Sequence, residues 1–164
     1  MASAELARFP LTAQALVARL PLLTQLADFQ RALNDQFDTC RHADRYRPGA
    51  ALRRLRAGVL LLCDLQQDLL HPALAASWPT PWPALRQAMD VAAELRQLVS
   101  SGDSTDDARQ RALLSLIEGL VQLQFSSLDE LLGEADAGVV PWGRLASQTQ
   151  RLLETWPAPA LSPA

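Results

Sequence analysis

Leucine and alanine dominate this chain of 164 residues and restrict the folds that it can adopt. The sequence contains 32 Leu and 27 Ala, but only 7 Val, 1 Ile and 1 Tyr. Leucine and alanine favour helices, whereas β-branched and aromatic residues favour strands. A chain of this length normally forms a single domain with one core. We therefore predict a single all-α domain.

Apolar residues at helical spacing divide the chain into segments. Leu22, Leu26, Phe29, Leu33 and Phe37 recur every three or four residues, which is the pattern of an amphipathic helix. Similar stripes predict one helical bundle with about four long helices and two or three short ones, arranged as up-down neighbours. The long helices are predicted at 22–45, 50–70, 84–100 and 104–125, and the short ones at 11–20, 127–135 and 141–156.

Prolines mark several of the predicted helix boundaries. Pro21 is expected to begin a helix, because a missing N–H costs little in the first turn. Pro48 and Gly49 predict a tight turn, so the helices on either side of it should be antiparallel neighbours. His71 and Pro72 are expected to end the second of these two helices. Residues 78–83 have the sequence Trp-Pro-Thr-Pro-Trp-Pro, which predicts a stiff crossover.

The composition of the whole chain excludes several classes of protein. With 49% apolar and 20% charged residues it is not a disordered polyelectrolyte, and two cysteines exclude a disulfide scaffold. The longest apolar run, residues 57–63, is far shorter than the roughly 18 residues of a membrane span. The N-terminus has no basic segment leading into an apolar one, so we expect a cytoplasmic protein. We predict one domain over residues 1–156 and a disordered Pro/Ala tail over residues 157–164.

The charges are distributed unevenly along the sequence. All 15 basic residues are arginines, and the net charge is −3. Residues 41–56 contain six arginines and one acid, so this segment carries +5 and the rest of the chain −8. We call residues 41–56 the arginine elbow, because they span the predicted turn. Its arginines are Arg41, Arg45, Arg47, Arg53, Arg54 and Arg56.

The second half of the arginine elbow opposes the electrostatics of a helix. Arg53, Arg54 and Arg56 fall in the first two turns, where the helix is already positive and acidic residues are favoured. Residues that oppose a local structural preference, without a stabilising contact inside the protein in return, are typical of a functional site. We expect the arginine elbow to bind a protein partner with an acidic surface, which makes the chain a non-enzymatic interaction or adaptor module.

Two alternatives for the arginine elbow stay open. Acidic residues of the fold, namely Asp38, Asp44 and the acidic segment 103–136, can neutralise it internally. The arginines can also bind nucleic acid or a phosphorylated ligand, although the negative net charge argues against general nucleic-acid binding.

A second group of residues has the spacing of a metal site. Asp64, Asp68 and His71 lie on one face of the predicted second helix, and antiparallel pairing brings Asp28 opposite Asp68. A metal-dependent enzyme at these four residues is our third hypothesis. An ordinary charged face, with Arg31 paired to Asp64 and His71 at a helix C-terminus, is favoured. Motifs for phosphate binding or nucleophilic catalysis are absent from the sequence, so we expect neither enzymatic activity nor a cofactor.

The cysteines and tryptophans are interpreted as structural residues. Antiparallel pairing separates Cys40 from Cys63 by roughly 12 Å along the helices, which is too far for a disulfide, so both are predicted to be free. Trp142 and Trp156 belong to an apolar stripe that fits a core better than a dimer seam. Several stripes are wide enough to leave apolar area uncovered, which is compatible with a homodimer.

Overall fold

The computed structural model of the protein describes residues 8–42, 48–77, 82–101, 107–135 and 140–156. These residues are helical almost throughout, and they contain no strand. The all-α class predicted from the leucine and alanine content is therefore confirmed. The elements are α1 (Arg8–His42), α2 (Pro48–Asp64), a π-helical segment (Leu65–Leu70), α3 (His71–Ala76), α4 (Pro83–Ser100), α5 (Asp107–Glu134) and α6 (Trp142–Leu153).

Helix α2, the π-helical segment and α3 follow one another without a break, and we call residues 48–76 the central rod. It contacts α1, α4 and α6 along its length. It also reaches α5, because the buried side chain of Gln66 donates a hydrogen bond to Gln124. The predicted helix end at His71 and Pro72 is wrong. Pro72 lies at the start of α3, where a missing N–H is tolerated, and the backbone N–H of His71 bonds to the carbonyl of Gln66.

Helix α1 corrects the prediction that Pro21 begins a new helix. It runs for 35 residues and contains Pro21 in its interior. A proline removes the N–H that would bond to the carbonyl four residues earlier, here that of Val17. Val17 is 64% exposed, so water can satisfy this carbonyl, while the next residue, Leu22, is fully buried and holds the helix on the core.

Helix α5 joins two helices that were predicted separately. The sequence predicts that Ser127 caps a short helix after residue 125. Helix α5, which is 28 residues long, instead continues through this point to Glu134. The apolar stripe that includes Phe125 extends into Leu128 and Leu131, both of which are buried. Burying these leucines stabilises the continuous helix by more than a cap would stabilise a new one.

The buried side chains form one continuous cluster. The stripe predicted in the first long helix, from Leu22 to Phe37, is buried as expected. The predicted antiparallel pairing of α1 and α2 is also confirmed, because Gln36 Nε2 donates to the carbonyl of Ala51 at 2.9 Å. The register differs, however: the prediction placed Gln36 near Val59, and the side chain instead contacts the beginning of α2.

Some predictions fall outside the described residues. Of the predicted crossover 78–83, the structure describes Trp82 and Pro83, where α4 begins. The predicted tail, residues 157–164, also lies outside the described ranges. Among the helices that the structure describes, none combines the length and the apolar character needed to cross a membrane.

Gly58 of the central rod is closely packed against Trp156 and Leu33. A Cβ at this position would lie 2.7 Å from Cζ2 of Trp156 and 2.8 Å from Cδ2 of Leu33. We expect Gly58→Ala to lower the free energy of unfolding by about 1–3 kcal/mol, measured by urea denaturation, because tightly packed neighbours must move apart. Gly143→Ala is the matched control, since a Cβ there has nothing within 4 Å. Unchanged stability of the Gly58 variant would contradict this close packing.

Candidate interaction surface at the arginine elbow

The arginine elbow lies where α1 ends and α2 begins. Arg41 belongs to the last turn of α1, and three arginines belong to α2. Two further predicted site residues, Arg45 and Arg47, lie outside the described residues. The first turn of α2 contains no acidic residue, so the helix N-terminus and its arginines have the same sign. The described α2 arginines of the elbow are Arg53, Arg54 and Arg56.

Arg41 is neutralised within the fold. Its Nη1 lies 2.8 Å from Oδ1 of Asp38, one turn earlier in α1, and its Nη2 pairs with the carboxylate of Glu118 in α5. Glu118 belongs to the acidic segment 103–136. The internal neutralisation that the sequence left open is therefore observed at this arginine.

Arg54 joins the start of α2 to two other elements. Its guanidinium lies over the ring of Trp156, 4.7 Å from the centroid, and its Nε donates to Oε1 of Gln36 at 2.9 Å. The indole Nε1 of Trp156 in turn donates to the carbonyl of Arg54 at 3.0 Å. A cation–π contact of this kind contributes about 0.5–2 kcal/mol. Arg54 therefore holds the C-terminal end of the described chain against the α1–α2 corner.

Arg53 and Arg56 differ in their environment. Arg56 is partly buried and interacts with other groups of the protein. Arg53 is exposed, and no ion pair to it is seen among the described residues. Of the four arginines of the elbow that the structure describes, Arg41, Arg54 and Arg56 interact with other groups of the protein, whereas Arg53 projects into solvent.

The four residues of the predicted metal site do not come together. Asp64 pairs with Arg96 of α4, and Asp28 pairs with Arg31 at 3.0 Å, so the predicted pair of Arg31 with Asp64 is wrong. The cause is the register of α1 on α2, which differs from the predicted one. Within the described ranges, no group of three or more His, Cys, Asp or Glu side chains is placed to hold a metal ion.

His71 is a buried core residue rather than a surface group. Its side chain is 1% exposed, and within the described residues neither ring nitrogen has a hydrogen-bond partner. Burial lowers the pKa of His71 to about 4, so the imidazole is neutral near pH 7. The interpretation of His71 as a cation at a helix C-terminus is therefore wrong, because the helix continues into α3.

The two cysteines are free, as predicted. Burial raises the pKa of the Cys63 thiol to about 11 and also raises that of Cys40. Both thiols are therefore protonated near neutral pH, which disfavours a nucleophilic role.

A groove of about 410 Å³ between α1 and α6 was missed at the level of sequence. Phe29 and Trp156 contribute aromatic surface to it, and Asp28 and Glu154 contribute carboxylates. Asp28 is already paired with Arg31, and Gln150 donates to Glu154 at 3.5 Å. Only the packing of two distant helices creates this groove, so no local motif could have indicated it. The remaining lining residues are Gln25, Ala32, Gln150 and Leu153.

No protein-family profile, curated protein or solved structure matches the chain. The function is therefore inferred from the surface and its chemistry.

The burial of His71 should make the free energy of unfolding depend on pH below neutrality. The unfolded chain binds a proton at His71 below about pH 6.5, whereas the folded protein does so only below about pH 4. Its contribution to stability is therefore lost as the pH falls through this window, by about 3 kcal/mol at pH 4. His71→Leu should remove this part of the pH dependence, measured by urea denaturation of both proteins from pH 7 to pH 4. Parallel stability curves for the two proteins would show that His71 does not titrate as its burial requires.

Proposed function

We propose that the protein is a non-enzymatic interaction module whose arginine elbow binds an acidic surface of a partner protein. The observation that supports this most directly is the exposure of Arg53 near the start of α2, a helix with no acidic residue in its first turn. A guanidinium beside a helix N-terminus is a good receptor for carboxylates, because both the charge and the free N–H groups favour an anion.

The anchored arginines support this proposal indirectly. Arg41 is bound to α1 and α5, and Arg54 is bound to Trp156 and Gln36. These contacts hold the α1–α2 corner, from which Arg53 projects, in a fixed position. A charged group on a braced corner loses less conformational freedom on binding than one on a mobile loop.

The chemistry of the described residues favours binding over catalysis. Two carboxylates of the hypothetical metal site, Asp28 and Asp64, are held in separate ion pairs, His71 is buried, and both thiols are protonated. We place the proposed interaction in the cytoplasm, where the free thiols of Cys40 and Cys63 would remain reduced.

The binding experiment compares Arg53→Glu with Arg144→Glu, an exposed arginine on α6 outside the elbow. The probe is a fluorescein-labelled peptide of consecutive glutamates, and binding is measured by anisotropy at low and physiological salt. We expect Arg53→Glu to weaken binding by roughly tenfold or more and Arg144→Glu to change it little, since electrostatic contacts depend on position. If the peptide does not bind, or if both variants bind it equally, the proposal is wrong.

An oligonucleotide of similar length tests the nucleic-acid alternative in the same assay. Affinity for it that exceeds affinity for the peptide and falls steeply with salt would replace the protein partner by a nucleic acid. If the partner is an acidic protein surface, as proposed, the peptide should displace the oligonucleotide from the protein.

Stability measurements separate the anchored arginine from the exposed one. We expect Arg54→Ala to lower the free energy of unfolding by about 1–2 kcal/mol, because it removes the contact with the indole and the hydrogen bond to Gln36. Arg53→Ala should stay within about 0.5 kcal/mol of the wild type, as is usual for exposed positions. Equal losses in the two variants, measured by urea denaturation, would contradict the different roles assigned to them.

A further inference from the structure

The outer face of α5 carries a heptad pattern that the core does not use. Its members recur at alternating steps of three and four residues, and each of them is exposed. We call them the α5 stripe: Arg109, Ala112, Leu116, Gly119, Leu123, Ser126 and Glu130. Residues at this spacing lie along one side of a helix, and two leucines one heptad apart give this side an apolar centre on which a second helix can pack.

Large apolar side chains on this face are in contact with solvent. Leu116 is 51% exposed and Leu123 is 49% exposed. The two leucines are seven residues apart, so they lie two turns apart on the same side of α5. Large apolar side chains exposed on one helix face are a common mark of a protein interface.

The α5 stripe is complementary to itself when it is reversed. Its midpoint lies between Gly119 and Leu120, so an antiparallel second copy places Leu116 opposite Leu123 and Arg109 opposite Glu130. Leucine therefore meets leucine near the centre, and opposite charges meet towards the ends. Such a pairing of one patch with itself about a two-fold axis is the usual geometry of a homodimer.

A parallel arrangement of the same two helices would be unfavourable. It would place Arg109 beside Arg109 and Glu130 beside Glu130 of the second copy, so like charges would meet at both ends. The charge pattern therefore selects the antiparallel direction.

Gly119 lies at the point where the two helices would cross. A Cβ there would have no contact within 4 Å among the described residues, so their packing does not require a glycine. A glycine in the middle of a helix destabilises that helix relative to alanine. At a crossing point, however, it allows two helix backbones to approach closely.

From these observations we infer that α5 is the seam of an antiparallel homodimer whose two-fold axis passes beside Gly119. The occupant of the exposed apolar face is a second copy of this chain. The arginine elbow contributes no residue to the α5 stripe, so this inference and the proposed function can fail independently.

Cross-linking tests the position of the axis. Gly119→Cys and Gly133→Cys introduce thiols at exposed sites on the same helix, and a Cβ at either site has nothing within 4 Å. In the antiparallel dimer the thiols at position 119 lie beside the axis, whereas those at position 133 are roughly 40 Å apart. Mild oxidation, followed by non-reducing electrophoresis, should give a covalent dimer with Gly119→Cys and little with Gly133→Cys or the wild type. Equal cross-linking at positions 119 and 133, or none at 119, overturns the inference.

Charge reversal tests the direction of pairing. By light scattering after size exclusion, the wild type should have twice the mass of one chain. Arg109→Glu and Glu130→Arg should each shift the protein towards the monomer, and the double variant should restore the dimer, because the opposite charges are only exchanged. A monomeric wild type at every concentration, or a double variant as monomeric as the single ones, overturns the inference.

Leu116→Asp tests the apolar centre of the α5 stripe. The control is Val17→Asp, a change at an exposed apolar residue of α1, which is 64% exposed against 51% for Leu116. Leu116→Asp should abolish the dimer and Val17→Asp should leave it intact, while circular dichroism verifies that both variants fold. Dissociation by both variants to the same extent would place the seam elsewhere and overturn the inference.

Discussion

The burial of the central rod is the constraint on which the other contacts of the bundle depend. Residues 48–76 form a single continuous helix with a π-helical segment near its end, and α1, α4 and α6 pack on it. Because the rod is covered from several directions, its polar residues must find partners inside, as Gln66 does with Gln124. Where no partner is available, as at His71, burial instead keeps the side chain neutral. The closeness of Gly58 to Leu33 and Trp156 shows how little space is left between the rod and its neighbours.

In the arginine elbow, some arginines make contacts within the fold and another stays exposed at the surface. Arg41 and Arg54 belong to the same short segment, yet one is bound by carboxylates and the other by an indole and an amide. Both contacts involve residues far away in the sequence, Glu118 and Trp156. The contact with the carboxylate of Glu118 offsets part of the positive charge of the segment, and Arg53 remains exposed near the beginning of the rod. The binding proposed at this corner and the self-association inferred for α5 would use different surfaces, so the two proposals are compatible.

Local patterns predicted well wherever burial and helical spacing agreed. The stripe from Leu22 to Phe37 lies in the core, and α1 and α2 are antiparallel neighbours as the Pro48 turn indicated. Proline and capping signals were less informative, since α1 continues through Pro21 and α5 through Ser127. Each of these signals is worth about 1–3 kcal/mol, which the burial of one or two leucines can offset. A break suggested by one residue is therefore overridden when the apolar stripe continues on both sides of it.

The sequence by itself determined the helical class, the identity of the main buried stripe and the position of the charge cluster, because these depend on residue type and on spacing within one helix. Only the tertiary structure decided which charges meet. The register of α1 on α2 differs from the predicted one, Asp28 pairs with Arg31, and Asp64 pairs with Arg96 of α4, so the described residues do not form the hypothetical metal site. Which leucines of α5 remain exposed was likewise decided by how its neighbours pack, since a helical pattern shows that a face is apolar but not which element covers it.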